Sequence, residues 1–389
     1  MVQQAPALAP EASEAYVQPR VSAQRGSLFE HCVRAIKHGL RFGAHQLPLM
    51  GCGDWNDGMN LVGKDGKGES VWLAWFLTAV LQGMAEMSDL LDRPELGRTY
   101  RHDRESLIQR VEQTAWDGEW YLRGTFDDGM PLGSSANREG RIDSLPQSWA
   151  WLSGAAETDR ARKALESAWA HLVHADEGLI LLLEPPFDTA KPSPGYIRGY
   201  PPGVRENGGQ YTHAALWLAM AMARRGDGER AVKMLRMLNP IERARDPESV
   251  WRYGIEPYVI AADVYRLPGR IGYGGWSWYT GAAAWMYRAW VEEVLGLKMR
   301  GDRMRLDPVI PGWWEGFSLR YRHGEAIYEI QVENPHKRER GVSWVEMDGR
   351  RLSDGVIPLE RGLVKHRILV RIGEPERAAG DPLRPAAVE

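Results

Sequence analysis

Cysteine is scarce: the 389 residues contain two, Cys32 and Cys52. Two thiols in a chain of this length cannot set up a disulfide framework, which favours a reducing, cytoplasmic setting. No run of about 18 apolar residues occurs, so nothing reads as a bilayer span or direct membrane insertion. The N-terminus lacks the basic-then-apolar pattern of a signal peptide. Nor is there a surplus of charge: 49 Lys and Arg face 52 Asp and Glu, for a net charge of −3. That balance removes the electrostatic case for nucleic acid or anionic lipid as a partner. Phenylalanine is sparse at 6 residues, whereas tryptophan reaches 17. Indole rings serve equally as core filler and as the walls of a carbohydrate cleft, where a ring face covers sugar C–H groups and the N–H reaches a hydroxyl. Here the tryptophans cluster beside polar motifs.

The length suffices for two packed domains. Residues 1–26, rich in Ala, Pro, Gln and Ser, read as a mobile lead-in. Helical periodicity then dominates residues 27–298. It predicts helices over 28–42, 70–91, 104–114, 147–153, 159–173, 210–225, 228–237, 257–265 and 281–295. Long Gly/Pro-rich loops such as Gly199-Tyr200-Pro201-Pro202-Gly203 separate them. This organisation predicts a toroid of helical hairpins with a site at one mouth. Over 299–373 the pattern changes to alternation, with strands at 317–321, 326–332, 341–347 and 366–372 and turns at Asn334-Pro335 and Asp348-Gly349. A small antiparallel β domain is expected there, followed by a disordered tail over 374–389.

Three motifs carry chemistry. In Gly51-Cys52-Gly53-Asp54-Trp55-Asn56-Asp57-Gly58-Met59-Asn60, two carboxylates three residues apart bracket a Trp between glycines. Glycosyl transfer needs a carboxylic acid to protonate the leaving oxygen, kept neutral by an apolar or like-charged neighbourhood. Asp54 and Asp57 fit that coupling. The same residues also fit a plain Asp/Asn/Gly turn, or part of a calcium loop lacking its terminal acidic residue. The second motif, Gly203-Val204-Arg205-Glu206-Asn207-Gly208-Gly209-Gln210-Tyr211-Thr212-His213, sets Glu206 seven residues before His213, with a glycine pair between them that lets backbone approach a ligand. The third, Gly274-Gly275-Trp276-Ser277-Trp278-Tyr279-Thr280-Gly281, leads into an apolar helix. Thr280 and Gly281 therefore fall at a helix start, suited either to an anion or to simple capping.

Together these motifs resemble the signatures of glycoside hydrolase family 94, which holds cellobiose and chitobiose phosphorylases and the C-terminal domain of cyclic β-1,2-glucan synthases. The synthase-type domain is the nearer likeness. His45–Gly51, Gly68–Leu73, Ala115–Tyr121, Arg141–Ser144, Pro185–Asp188 and Gly199–Arg205 all read like it, and the resemblance runs from about residue 16 to 373. It implies an (α/α)6 barrel followed by a β-sandwich. It also implies Asp57 as general acid, Trp55 on the transferred sugar and Glu206 on the leaving sugar, with Asp54, Cys52 and Gln210 as further sugar contacts. His213, Thr280 and Gly281 match the family's phosphate pocket. The implied reaction is inverting phosphorolysis of a β-glucan, giving α-glucose 1-phosphate. Inorganic phosphate is then a co-substrate, with no organic cofactor or metal.

Gln46 stands where the family usually has Gly. The implied barrel needs twelve helices, and about nine are predicted before residue 300. The family's N-terminal β-sandwich and early helices, with a phosphate Arg and a sugar-binding Asp, have no counterpart in the 56 residues that precede Asp57. The expectation is thus a partial (α/α)6 toroid. The chain would be truncated or one piece of a split enzyme, poorly active without its missing N-terminal half, and tethered to the inner membrane through a larger synthase. The alternatives are an inverting hydrolase, with water as nucleophile and Glu206 as base, and a non-catalytic carbohydrate-binding remnant.

Overall fold

The computed structural model describes Pro6 and residues 15–374; residues 1–5, 7–14 and 375–389, where most of the lead-in and tail are expected, lie outside the described residues. Nine α-helices are present among the described residues: α1 Leu28–Gly39, α2 Val71–Leu90, α3 Pro94–Thr114, α4 Ser144–Leu152, α5 Thr158–Leu172, α6 Thr212–Arg225, α7 Gly228–Leu238, α8 Pro247–Tyr253 and α9 Ala282–Arg288. Their starts follow local chemistry. Ser27 and Glu30 form a reciprocal capping box on α1, and Ser70, Asp143 and Asp227 cap α2, α4 and α7 through their side chains.

Six of these helices form three hairpins, α2–α3, α4–α5 and α6–α7, each closed by a connection of a few residues and packed along its length. The first helix of each hairpin is the inner one. α2, α4, α6 and α9 pack side by side in that order, and α6 is buried on every side from Ala214 to Ala223. The partner helices are amphipathic: α5 buries Ala161, Ala164, Leu165, Ala168 and Leu172 and turns its charged residues outward. No helix among the described residues is long and apolar enough to cross a membrane.

Two helix expectations fail for identifiable reasons. Residues 257–265 are not helical; a turn closed by Val259 N–H donating to the Glu256 carbonyl buries Val259, and the buried Ala261 and Ala262 follow on the way into the pairing of Asp263–Val264 with Gln210–Tyr211. The helix forms earlier, at α8, where Asp246 caps Ser249 N–H, Pro247 occupies the first turn and Gly254 ends it in the left-handed region. The helix expected from 281 to 295 is α-helical only to Arg288 and continues as a π-helix over Ala289–Val294.

After the helices come eight strands: β1 Leu297–Arg300, β2 Arg303–Leu306, β3 Gly316–His323, β4 Ala326–Glu333, β5 Val342–Met347, β6 Arg350–Leu352, β7 Val356–Pro358 and β8 Lys365–Ile372. They form one sheet in the order β1-β2-β7 and a second in the order β3-β4-β8-β5-β6. The second sheet is mixed, not purely antiparallel as expected, because β8 returns after a long connection to lie parallel to β4. Tyr328 joins the two sheets, its hydroxyl donating to the Pro358 carbonyl at 3.2 Å and accepting from Glu360 N–H at 2.7 Å.

The strand region is locked to the helices at the start of α7. Glu339 accepts from the backbone N–H groups of Gly228 (2.6 Å) and Glu229 (3.1 Å), a carboxylate placed on the positive end of the helix. Gly228 lies so close to the chain before β3 that an added Cβ would stand 2.4 Å from the Ile310 carbonyl oxygen. Gly228→Ala is therefore expected to cost about 1–3 kcal/mol by overpacking, read as a lowered urea midpoint. A midpoint equal to wild type would mean that this junction can give.

Candidate active site

The site is organised behind its surface by one buried guanidinium. Arg123, 1% exposed, donates from both terminal nitrogens to the two oxygens of Asp54 at 2.6 Å each. Its Nε lies 3.2 Å from Asp143 Oδ2. Ser70 caps α2 by accepting from Leu73 N–H and donates its hydroxyl to Asp54 at 2.6 Å. Asp143 caps α4 by accepting from Leu145 N–H at 2.8 Å. The starts of two inner helices and the Asp54 loop are thus tied to one cation. Burial pushes Asp54 toward protonation, but Arg123 and Ser70 outweigh it and hold the carboxyl below its ordinary range. Asp143, with the weaker share of the same cation, is pushed up to about 6 by burial. Asp54, expected as a sugar contact, is turned away from the surface: its side chain is fully buried and faces Arg123.

Anchoring Asp54 turns Asp57 outward. Asp54 Oδ1 accepts from Asn56 N–H at 3.0 Å, and Asn56 in turn caps the single 3-10 turn Asp57–Met59 through Gly58 N–H. Gly53 has φ +135°, and a Cβ there would stand 2.9 Å from Asp57 Cα, so the loop closes this tightly only with glycine. Asp57 is exposed and lies within hydrogen-bonding reach of the Tyr196 hydroxyl. The carboxylate whose charge meets that of Asp57 is Glu206, not Asp54 as the spacing suggested, because Arg123 has already neutralised Asp54.

Glu206 is 7% exposed. Its loop is folded on Asn207, whose side chain donates to the Phe187 and Tyr200 carbonyls and accepts from Phe187 N–H. Burial raises the Glu206 pKa against the pull of Arg205, whose Nε is 3.5 Å from Glu206 Oε2. Tyr211 hydrogen-bonds Glu206, and burial pushes its phenol up to about 12. Asp263, 1% exposed, also interacts with Arg205; burial raises it too, while Trp276 N–H donates to its Oδ1.

Beyond Tyr211 opens a cavity of about 470 Å³ lined by Tyr211, His213, Trp278, Tyr279, Thr280 and Gly281. His213 projects from the first turn of α6. Trp55 Nε1 donates to its Nδ1 at 3.4 Å, and the ring packs among Trp55, Trp217 and Trp285. An indole is a donor only, so Nδ1 is the acceptor and the proton of the neutral ring sits on Nε2. That Nε2 is buried and has no protein partner. Burial lowers the His213 pKa to about 4, so the ring is neutral at physiological pH and offers one free N–H donor. Thr280 Oγ1 accepts from Ala282 N–H at 3.1 Å, leaving its own proton to give. At the rim, Trp278 is 69% exposed with φ +66°, held by an indole hydrogen bond to Glu256 at 2.9 Å.

His213, Thr280 and Gly281 thus line one cavity, with Trp55 fixing the imidazole and Glu206 linked through Tyr211. Cys52 is exposed on the Asp57 loop. Gln210 does not reach the cavity: it is 1% exposed and accepts from Ile180 N–H and Arg243. Sequence reasoning missed Arg123, Asp143 and Asp263 as members of the site. Asp143 stood inside a quoted motif, but Arg123 and Asp263 had no local signal, because their partners lie 69 and 58 positions away in the chain.

A buried imidazole donor and a threonine hydroxyl beside two carboxyls and a wall of indoles are the composition of a carbohydrate-processing site. The chain belongs to the glycosyl hydrolase 94 superfamily, whose catalytic-domain model matches residues 13–296. It is 45% identical over 334 residues to cyclic beta-(1,2)-glucan synthase NdvB of Rhizobium meliloti (strain 1021), covering 85% of this chain and 12% of that protein. It is 32% identical over 356 residues to the solabiose phosphorylase of Paenibacillus borealis, covering 90% of this chain and 46% of that one. The chain therefore spans less than half the length of either relative. Among solved structures, a sialidase superposes with a TM-score of 0.52 at 15% identity, over 75% of this chain and 26% of that one, a likeness of fold alone.

Two outcomes follow from this geometry. Arg123→Met leaves Asp54 and Asp143 buried without a cation and is expected to cost about 3–5 kcal/mol, measured by urea unfolding; a loss under about 1 kcal/mol would mean that the loop does not depend on the bridge. His213 has its pKa lowered from 6.5 to about 4. Between those values the unfolded chain binds the proton and the folded chain does not, so this ring's contribution to stability is present above pH 6.5 and is lost as pH falls toward 4. Imidazole NMR of the folded protein, assigned by comparison with His213→Ala, is expected to show no His213 titration between pH 5.5 and 8. A midpoint near 6.5 would contradict the buried, neutral ring.

Proposed function

We propose that this chain is the catalytic part of an inverting glycoside phosphorylase or glycosyltransferase acting on β-linked glucans, β-1,2-linked ones first, on a partial (α/α)6 toroid followed by a β-sandwich. The observation that carries this reading is the cavity lined by His213, Thr280 and Gly281, beside a buried imidazole Nε2 that has no protein partner. Two hydrogen-bond donors beside the exposed start of a helical segment suit an oxyanion such as phosphate. The β-1,2 linkage rests on the likeness to the synthase, and phosphate as co-substrate on the likeness to the phosphorylase.

In this reaction Asp57 gives its proton to the glycosidic oxygen as the bond from that oxygen to the anomeric carbon breaks. A phosphate oxygen, held by His213 Nε2–H, Thr280 Oγ–H and the Gly281 backbone, bonds to the same carbon from the opposite face, so a β-glycoside yields α-glucose 1-phosphate. Trp55 serves twice, as a surface for the transferred sugar and as the group that fixes the His213 tautomer. Glu206 accepts from hydroxyls of the leaving sugar, and Cys52 contacts sugar from the loop edge. Asp54 and Gln210 act from behind, as positioning residues.

The assay is phosphate-dependent release of glucose 1-phosphate from β-1,2-glucooligosaccharides, followed by ³¹P and ¹H NMR. It is run on this chain and on the synthase NdvB with the matching region replaced by this chain. Asp57→Asn is expected to lower turnover by about 10²–10⁴-fold with little change in oligosaccharide binding; near-normal turnover sinks the assignment of the acid. Thr280→Val and His213→Ala are each expected to raise the KM for phosphate about tenfold or more, the worth of one hydrogen bond to a charged group. Loss of sugar binding with phosphate dependence intact would refute the phosphate site. Free glucose released without phosphate would point to hydrolysis.

A further inference from the structure

A second cavity, of about 420 Å³, lies where the outer face of α7 meets the chain entering β3, and it shares no residue with the first. Its volume falls within the roughly 300–1,000 Å³ usual for small-ligand sites. Val232 and Met237 make its apolar floor, and Glu229, Lys233, Arg236, Glu242 and Trp313 surround it. Trp313 is 61% exposed, yet it is not loose: its Nε1 donates to Glu229 Oε2 at 3.3 Å and its ring packs edge-on against Trp314, with centroids 6.0 Å apart. An exposed indole held in place from both ends offers a preformed flat surface, so little rotamer freedom is lost when something covers it.

The charges around it narrow what that is. Two cations and two carboxylates line the cavity, and Glu242 is already paired with Arg236 at 3.5 Å and with Arg245, just outside the lining, at 2.6 Å. The net field is close to neutral, which disfavours a phosphorylated or otherwise anionic ligand and a cation alike. A neutral polyhydroxylated chain suits such a rim, because a hydroxyl can donate to a remaining carboxylate lone pair and accept from Lys or Arg, while the indole covers a sugar's C–H face.

We propose that Trp313 and the rim formed by Glu229, Lys233, Arg236 and Glu242 are a second, non-catalytic binding site for a neutral glucan chain, at the junction of the helices and the strands. The saccharide class rests on the function proposed above. Holding the chain at a second point raises its effective concentration at the first without adding a contact there.

The test is affinity electrophoresis of the full chain in gels containing linear β-1,2-glucan, with calorimetric titration of cello- and sophoro-oligosaccharides, all without phosphate. Trp313→Ala is expected to bind the polysaccharide about tenfold more weakly, the order of loss when a stacking ring goes. Trp313→Tyr should stay near wild type, and His213→Ala should keep the polysaccharide retardation. Melting curves of each variant separate loss of binding from loss of fold. Equal retardation of wild type and Trp313→Ala overturns the site, as does binding that only the His213 variant abolishes. Release of glucose 1-phosphate is scored separately. If it fails in the NdvB chimera as well while Trp313→Ala still loses retardation, the phosphorylase reading falls and this site stands; if release occurs and Trp313→Ala is silent, the reverse holds.

Discussion

The acid loop and the starts of two inner helices depend on how one arginine is shared. Burying a guanidinium and two carboxylates costs several kcal/mol per ion unless the geometry is nearly complete, and here the cation meets Asp54 with two hydrogen bonds and Asp143 with its remaining nitrogen. The same carboxylates are also the restraint on Asn56 and the cap of α4. Loop conformation, helix start and charge neutralisation are thus one interaction. The acid candidate lies three residues beyond Asp54, on the side of the loop that the bridge leaves facing solvent.

The other half of the site works without a net charge. Trp55 fixes one nitrogen of His213, and Trp217 and Trp285 pack on its ring. Burial among indoles makes protonation unfavourable, and the result is a directed N–H dipole rather than a cation. The abundance of tryptophan, ambiguous in the sequence, has a double use here. The rings fill the space between the inner helices, and they set the tautomer of the one histidine that lines the cavity.

Much of this was legible beforehand, and what was not has a physical reason. The three motifs are each continuous in sequence, so their loops could be read from local chemistry, whereas the grouping of His213 with Thr280 and Gly281 came only from the resemblance to the family. The pairing of β3 with β4 followed from alternation around His323-Gly324. Asp54 was misread because its spacing from Asp57 suggests like-charge coupling, and only the fold brings Arg123 to it. Gln210 was misread because a polar residue in a ligand-like loop can equally satisfy a buried amide and guanidinium. At 257–265 the apolar run was real, but extended pairing of Asp263–Val264 with Gln210–Tyr211 won over helical periodicity. The parallel placing of β8 beside β4 has no local signature at all.

The carboxylate of Glu339 has a bearing on what counts as a unit. The family's catalytic-domain model ends at residue 296, yet the first turn of α7, well inside it, is completed by a side chain more than forty positions beyond that end. The limit of that domain is therefore not a boundary along which the chain can be cut. A recombination event or a cloning decision that keeps the helices and discards the strands would leave α7 with unpaired amide groups against an exposed face.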